Sequence, residues 1–288
     1  MGMRRPTAKS LTLDLLSSLR GGSLPVAALV AAAGLFGIEE NALRVAIARL
    51  LAGGRIARDE RGRYRLGAAA LAVDRRVLGA RRAEERTVRW QGCWWLVHAG
   101  ALPAARAPGR RRRVLALRLL GFESLVPRLA LRPDNLRLSL SELRDELHEL
   151  GLERDALIVR ASELDASSEA RARRLWRYEA LGTSYRRLLA ELAASEARLG
   201  GLPEPAAMVE SFLVGGRAIR QLALDPLLPE PLAPEALRRE LARALRRYDR
   251  AGRRAWAGFM ARHGAPHVAT PAHGERTQGV PLDPGVSA

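Results

Sequence analysis

Residues 37–66 read GIEENALRVAIARLLAGGRIARDERGRYRL, and their reading decides the fold. From Glu39 to Ala52 no Gly or Pro interrupts the chain, and apolar residues recur at helical spacing. At 100° per residue, Leu43, Ala46, Ile47 and Leu50 share one stripe. Asn41, Arg44, Val45, Ala48 and Ala52 lie opposite, with Arg49 on the flank. Gly53-Gly54 ends the helix, because glycine tolerates the left-handed turn that closes it. Two short alternating segments follow, Arg55–Asp59 and Arg63–Leu66, joined by Glu60-Arg61-Gly62. Alternation sends Ile56, Tyr64 and Leu66 inward and Arg58, Arg63 and Arg65 outward. A helix with a polar, arginine-bearing outer face and a small basic hairpin are the parts of a winged helix-turn-helix. In that motif the helix enters the major groove of double-stranded DNA, and the hairpin reaches phosphates or the minor groove; the alternative is a small helical domain with a solvated basic face. The candidate contact residues are Asn41, Arg44, Val45, Ala48 and Arg49 on the helix, and Arg58, Arg61, Arg63 and Arg65 on the wing.

Upstream, Ser10 is an N-cap candidate for a helix to about Arg20, with Leu11, Leu15, Leu16 and Leu19 on one face. Gly21-Gly22 breaks it. Pro25 suits the first turn of a second helix to about Ala33, closed by Gly34. The expected core of this unit holds Leu29, Leu43, Ile47, Leu50 and Tyr64. Residues 67–88 read as a very basic connector helix.

The charge balance agrees. The 288 residues carry 48 Lys and Arg against 31 Asp and Glu, a net +17, and Lys9 is the sole lysine. The excess is +8 over residues 1–88, +3 over 89–166 and +6 over 167–288. Such a field attracts a polyanion, and it is densest where the helix and hairpin lie. One cysteine, Cys93, excludes an intrachain disulfide framework and fits a reducing compartment. The N-terminus MGMRRPTAKS has no apolar segment behind its charges, and no apolar run approaches a membrane span. A cytoplasmic protein with no membrane partner is expected.

Residues 89–166 change character. Gly92–His98 and Asp155–Arg160 read as strands, as do Gly121–Val126 and Arg128–Arg132 around Pro127. Arg110–Leu120 and Ser141–Leu150 read as helices, the second capped by Ser139 or Ser141. The order β-α-β-β-α-β is that of a ferredoxin-like unit. From Ser167 the chain reads as helices: Glu169–Leu199 with a break at Gly182, Pro205–Leu224 and Glu235–Arg262. Between the last two lies DPLLPEPLAP, Asp225–Pro234, whose prolines exclude a regular helix. The expected fold class is α+β: a winged-helix domain with connector (1–88), a ferredoxin-like domain (89–166), a helical domain (167–265) and a disordered tail (266–288).

The stretches SLTLDLLSSLRGG, ALRVAIARL, GRIARDERGRYRL, WQGCWWLV, LRLLGFESLVPRLALRPDNL and LALDPLLPEPLAP occur in an order that resembles the PaaX-like family of transcriptional regulators. That family is typified by the repressor of phenylacetic acid degradation genes. The resemblance implies a ferredoxin-like domain akin to that of a CRISPR-associated nuclease. It also implies a homodimer on a pseudo-palindromic operator and an aromatic acyl-coenzyme A effector. The chain departs from the family at Leu237, where a tryptophan is usual. For the anionic part of such an effector the candidates are Arg217 and Arg220, and for an apolar wall Trp95 or Trp176. The alternative for Arg220 is an ion pair with Asp225 that pins the proline-rich turn.

Catalysis finds no support. A nuclease of the middle domain needs carboxylates at a strand end to hold a divalent metal, and WWLVHAG has none. There is no GxSxG elbow, P-loop or zinc-spaced Cys/His cluster. His98 and His148 read as structural or surface histidines rather than catalytic ones. The competing function class is an effector-independent nucleic-acid-binding or architectural protein.

Overall fold

A computed structural model of the chain describes residues 5–19, 22–59, 62–70, 85–100 and 107–265. The expected tail 266–288 and most of the connector helix lie outside them. The first unit is α1 (Ala8–Ser18), β1 (Leu24–Pro25), α2 (Val26–Leu35), α3 (Glu40–Ala52), β2 (Ile56–Arg58) and β3 (Arg63–Leu66). The cap of α1 is Thr7 rather than Ser10. Ser10 sits three residues in and returns the bond, its hydroxyl accepting from the Thr7 backbone N–H at 3.0 Å. A hydroxyl at that position thus does what Glu or Gln does in the usual box. Pro25 is the N-cap of α2 rather than its first turn, and Gly34 lies inside the helix, which ends at Phe36.

The α3 helix ends at Gly53, with Gly54 taking the left-handed conformation at φ 63°. The sheet runs β1-β3-β2, with Ile56 opposite Leu66 and Leu24 opposite Tyr64. Leu29, Leu43, Ile47 and Leu50 are buried in one core with Leu11, Leu16 and Phe36, and Tyr64 packs half-buried at its edge. This is the winged helix-turn-helix that the apolar spacing predicts.

The second sheet is built from β4 (Trp94–His98), β5 (Glu123–Val126), β6 (Leu129–Pro133) and β7 (Leu157–Ala161), with α4 (Ala107–Leu119) and α5 (Leu140–Leu150) as crossovers. Its order is β5-β6-β4-β7 and every neighbouring pair is antiparallel, which is the ferredoxin-like arrangement. Ser139 caps α5 in a capping box with Glu142, and these hydrogen bonds hold the Glu142 carboxyl below its usual range. Trp94 and Trp95 point to opposite faces, as adjacent strand residues must. Trp95 joins Ala116, Leu120, Leu143 and Leu147 under the helices. Trp94 joins Leu131, Trp176, Leu228 and Leu232 on the other side.

The remaining helices are α6 (Ala166–Arg173), α7 (Tyr178–Leu199), α8 (Glu204–Ala223) and α9 (Glu235–Arg262). The expected helix Glu169–Leu199 breaks near Trp176 and not at Gly182. Gly182 lies within α7, where a side chain would meet the ring of Pro234. α7, α8 and α9 enclose Tyr185, Leu188, Leu192, Val214, Leu241, Leu245 and Tyr248. The far ends of α8 and α9 serve the winged core instead: Met208, Leu213, Trp256 and Phe259 are buried with Leu43 and Ile47. The rings of Phe36 and Phe212 meet edge-on at 5.1 Å across this seam.

Candidate nucleic-acid interface

Burial of Leu43, Ile47 and Leu50 fixes the rotation of α3, and that rotation decides what the helix shows to solvent. Asn41, Arg44, Val45, Ala48 and Arg49 are all exposed on its outer face. The combination suits base edges: an amide for adenine, guanidinium for guanine, and small apolar groups for a thymine methyl. Val45 leaves 42% of its surface exposed, which no packing role explains. Arg44 is held by an i,i+4 hydrogen bond from Nε to Glu40 at 2.7 Å. That bond orients the guanidinium along the helix and partly offsets its charge.

In the wing, Arg58 and Arg65 are exposed, while Arg61 lies outside the described residues. The turn is closed by Asp59, whose carboxylate accepts from the Arg63 backbone N–H at 2.8 Å, and by Gly62 at φ 74°. Arg63 departs from the expectation of a free outward cation. Its guanidinium donates to the Ser23 hydroxyl at 3.0 Å, to the Ser23 carbonyl at 2.8 Å and to the Gly264 carbonyl at 3.0 Å. The residue before β1 and the chain leaving α9 both present oxygens to Arg63, which ties the wing to the end of the C-terminal domain.

The four effector candidates are not brought together. Arg217 donates two hydrogen bonds to Glu191, at 3.2 and 2.5 Å, bridging α8 to α7. Arg220 stands 3.8 Å from Asp14 of α1, and the alternative pair with Asp225 is absent. Trp95 and Trp176 lie on opposite faces of the second sheet, Trp176 stacked parallel to Trp94 at 6.2 Å. None of the four lines the surface depression of about 360 Å³ along α7, which is bordered by Glu179, Ala180, Thr183, Ser184 and Arg187.

What the sequence reading missed is a buried polar chain through the proline-rich turn. The Asp225 carboxylate accepts from the Tyr185 hydroxyl and from the Leu227 backbone N–H at 2.8 Å. Arg238 stands 3.8 Å from Asp225 and donates to the Leu228 carbonyl at 2.7 Å. On the other side Asn135 donates to the Leu227 carbonyl at 2.7 Å and accepts from the buried Arg132 at 2.8 Å. Burial raises the Asp225 carboxyl and the Tyr185 hydroxyl above their ordinary ranges. Tyr248, bonded to Ser195 in the same bundle, is pushed up to about 12, chiefly by burial. The sequence signal was the acid at the head of a proline run, but its partners lie 40 and 13 residues away. Among the described residues no group of three or more His, Cys, Asp or Glu could hold a metal, and no helix is long and apolar enough to cross a membrane.

A winged helix-turn-helix, a ferredoxin-like sheet and a helical bundle follow one another in that order along the chain. The family model for PaaX-like protein matches residues 7–70, and that for the PaaX-like protein C-terminal domain matches residues 176–261, together about half of the chain. The chain belongs to the PaaX-like family of regulators. Its structure is similar to that of the uncharacterized protein Rv0674 from Mycobacterium tuberculosis, at 27% identity and a TM-score of 0.59 over 88% of this chain and 99% of that one. No curated protein matches it.

Proposed function

We propose that the protein is a sequence-specific DNA-binding transcriptional regulator that acts as a homodimer on a pseudo-palindromic operator. In this reading it represses a catabolic operon until an acyl-coenzyme A-type effector releases it. The observation that carries the DNA-binding part is the exposed face of α3, where Asn41, Arg44, Val45, Ala48 and Arg49 stand clear of the core that orients the helix. Arg58 and Arg65, with Arg61 between them in sequence, supply phosphate or minor-groove contacts. Selection of binding sites from random duplexes, followed by comparison of selected with random DNA, tests this part. A large affinity ratio supports a sequence-specific regulator, and equal affinities reject it.

Support for the effector comes from the family and from a helical C-terminal half that DNA binding alone does not require. Its anionic part would use Arg217 or Arg220 and its walls Trp95 or Trp176. The engagement of Arg217 with Glu191 favours a second reading, an effector-independent nucleic-acid-binding protein. Calorimetry with aryl- and alkyl-acyl-coenzyme A thioesters, with and without selected DNA, separates the two. Heat of binding together with weakened DNA affinity supports release. No heat and no change in affinity leaves the effector-free reading.

A further inference from the structure

α9 treats its arginines in two ways. Arg239 pairs with Glu235, Arg253 with Asp249 at 2.9 Å and Arg262 with Glu204 at 3.0 Å, while Arg238 is buried near Asp225. Arg243, Arg247, Arg250 and Arg254 are all exposed, and among the described residues none has a carboxylate partner. The single contact of the four is a long bond, 3.5 Å, from Arg250 to the Arg246 carbonyl. Their spacings of four, three and four place them on one ridge, on the side of the helix away from Leu241, Leu245 and Tyr248. The ridge is about 16 Å long, the height of about five base pairs. Like charges three or four residues apart on a helix repel, so the row costs stability while it has no counterion.

The composition of the ridge narrows its partner. No exposed large apolar side chain lies on α9, so the face offers neither the anchor of a protein interface nor the apolar half of a membrane-surface helix. It carries no aromatic platform for single-stranded bases. What remains is a row of guanidinium groups suited to successive phosphates of a duplex. The helix is also fixed relative to the winged domain. Trp256 and Phe259 are buried in its core, Trp256 lies 6.2 Å from Phe212, and the Gly264 carbonyl accepts from Arg63 of β3.

We propose that Arg243, Arg247, Arg250 and Arg254 form a second phosphate-binding ridge that grips duplex DNA flanking the site met by α3. The inference rests on the DNA-binding reading above. Its test uses the full chain and a duplex selected from a random pool, either trimmed to the selected core or extended by about ten base pairs, one helical turn, on each side. Affinity is measured across a salt series for the wild type and for Arg243→Gln/Arg247→Gln/Arg250→Gln/Arg254→Gln, whose unfolding midpoint is compared with the wild type. Glutamine keeps a polar side chain of similar helix propensity while removing the charge.

On the extended duplex the variant should lose about 0.9 unit of log–log salt slope per contact, two to four units in all, with little change on the core duplex. A wild-type slope on both lengths, or an equal loss on both, overturns the ridge and leaves α3 and the wing untouched. Arg44→Ala separates the two claims, because it should lower sequence preference and keep the gain from flanking DNA. A wild type that binds neither selected nor random duplex overturns the DNA-binding reading, and the ridge with it.

Discussion

The two regions that matter most use the same residue type in opposite ways. At the junction between the second sheet and the helical domain, Arg132 and Arg238 are 1% and 4% exposed, and their guanidinium groups are spent on carbonyls, an amide and a carboxylate. On the winged domain, Arg49, Arg58 and Arg65 are exposed. A buried guanidinium must find partners inside the protein or cost several kcal/mol, whereas an exposed one is satisfied by water until an anion displaces it. The first kind stabilises one geometry and the second leaves affinity in reserve. The two differ in what a substitution should change: stability at the junction, binding on the winged face.

Breaking the junction should give the largest effect. Arg238→Ala leaves the Leu228 carbonyl and Asp225 without their cation, at a cost of about 3–5 kcal/mol in urea unfolding. A double replacement, Arg238→Met with Asp225→Asn, should recover much of that loss, because no charge is then stranded. The pH dependence has a fixed sign. Burial raises the folded-state pKa of Asp225 above its ordinary 3.8, so the stability linked to its proton is fully present below 3.8 and is lost as pH rises through the raised value. Relative to Asp225→Asn, the wild type should therefore gain stability on acidification across that window. A difference that stays flat with pH would mean that Asp225 is not desolvated.

Next in size is Gly121→Ala. Gly121 has φ 74°, and an added Cβ would lie 2.6 Å from the Pro226 carbonyl oxygen. The left-handed conformation alone costs a non-glycine residue about 1–3 kcal/mol, and the proline-rich turn must also shift. Thermal unfolding should show a drop with no change in the sequence preference for DNA. A change in that preference would mean that the junction and the reading helix are coupled.

The parts legible in the sequence were those set by local pattern. Leu43, Ile47 and Leu50 reveal the inner face of α3 because helical spacing is short-range, and Trp94-Trp95 divide between two faces because strand alternation is. The cap at Thr7 was hidden by a nearer serine with the same chemistry. Arg63 alternates outward as expected, yet oxygens 40 and 201 positions away meet it there. The same holds for Asp225, whose partners Tyr185 and Arg238 come from different helices. Phe212 and Trp256 gave no sign that they complete the winged core, since apolar residues on a long helix do not say which neighbour they cover.

Arg44→Ala should act on the other side of the comparison. A specific base contact discriminates by about 1–3 kcal/mol, so the variant should lose preference at particular base positions and keep its unfolding midpoint. The loss of the Glu40 pair costs little, because both side chains are more than half exposed. Uniform weakening across all sequences would reassign Arg44 as a phosphate clamp.

The smallest expected effects lie in the wing, and there the comparison divides a single hairpin. Arg58 and Arg65 are exposed with no ion-pair partner among the described residues, so Arg58→Ala/Arg65→Ala should reduce the salt slope by about two units and leave stability nearly unchanged. Arg63→Ala should do the reverse. It removes the bonds to the part-buried Ser23 and the exposed Gly264 carbonyls, so unfolding should shift while the slope stays within about half a unit. Salt titration of DNA binding and urea unfolding on the same two variants read both quantities. If Arg63→Ala lowers the slope by a full unit and leaves the midpoint alone, its internal bonds yield to DNA, and Arg63 belongs with the reading face. If Arg58→Ala/Arg65→Ala leaves the slope unchanged, the wing makes no phosphate contact through these two residues, and the proposed interface reduces to α3.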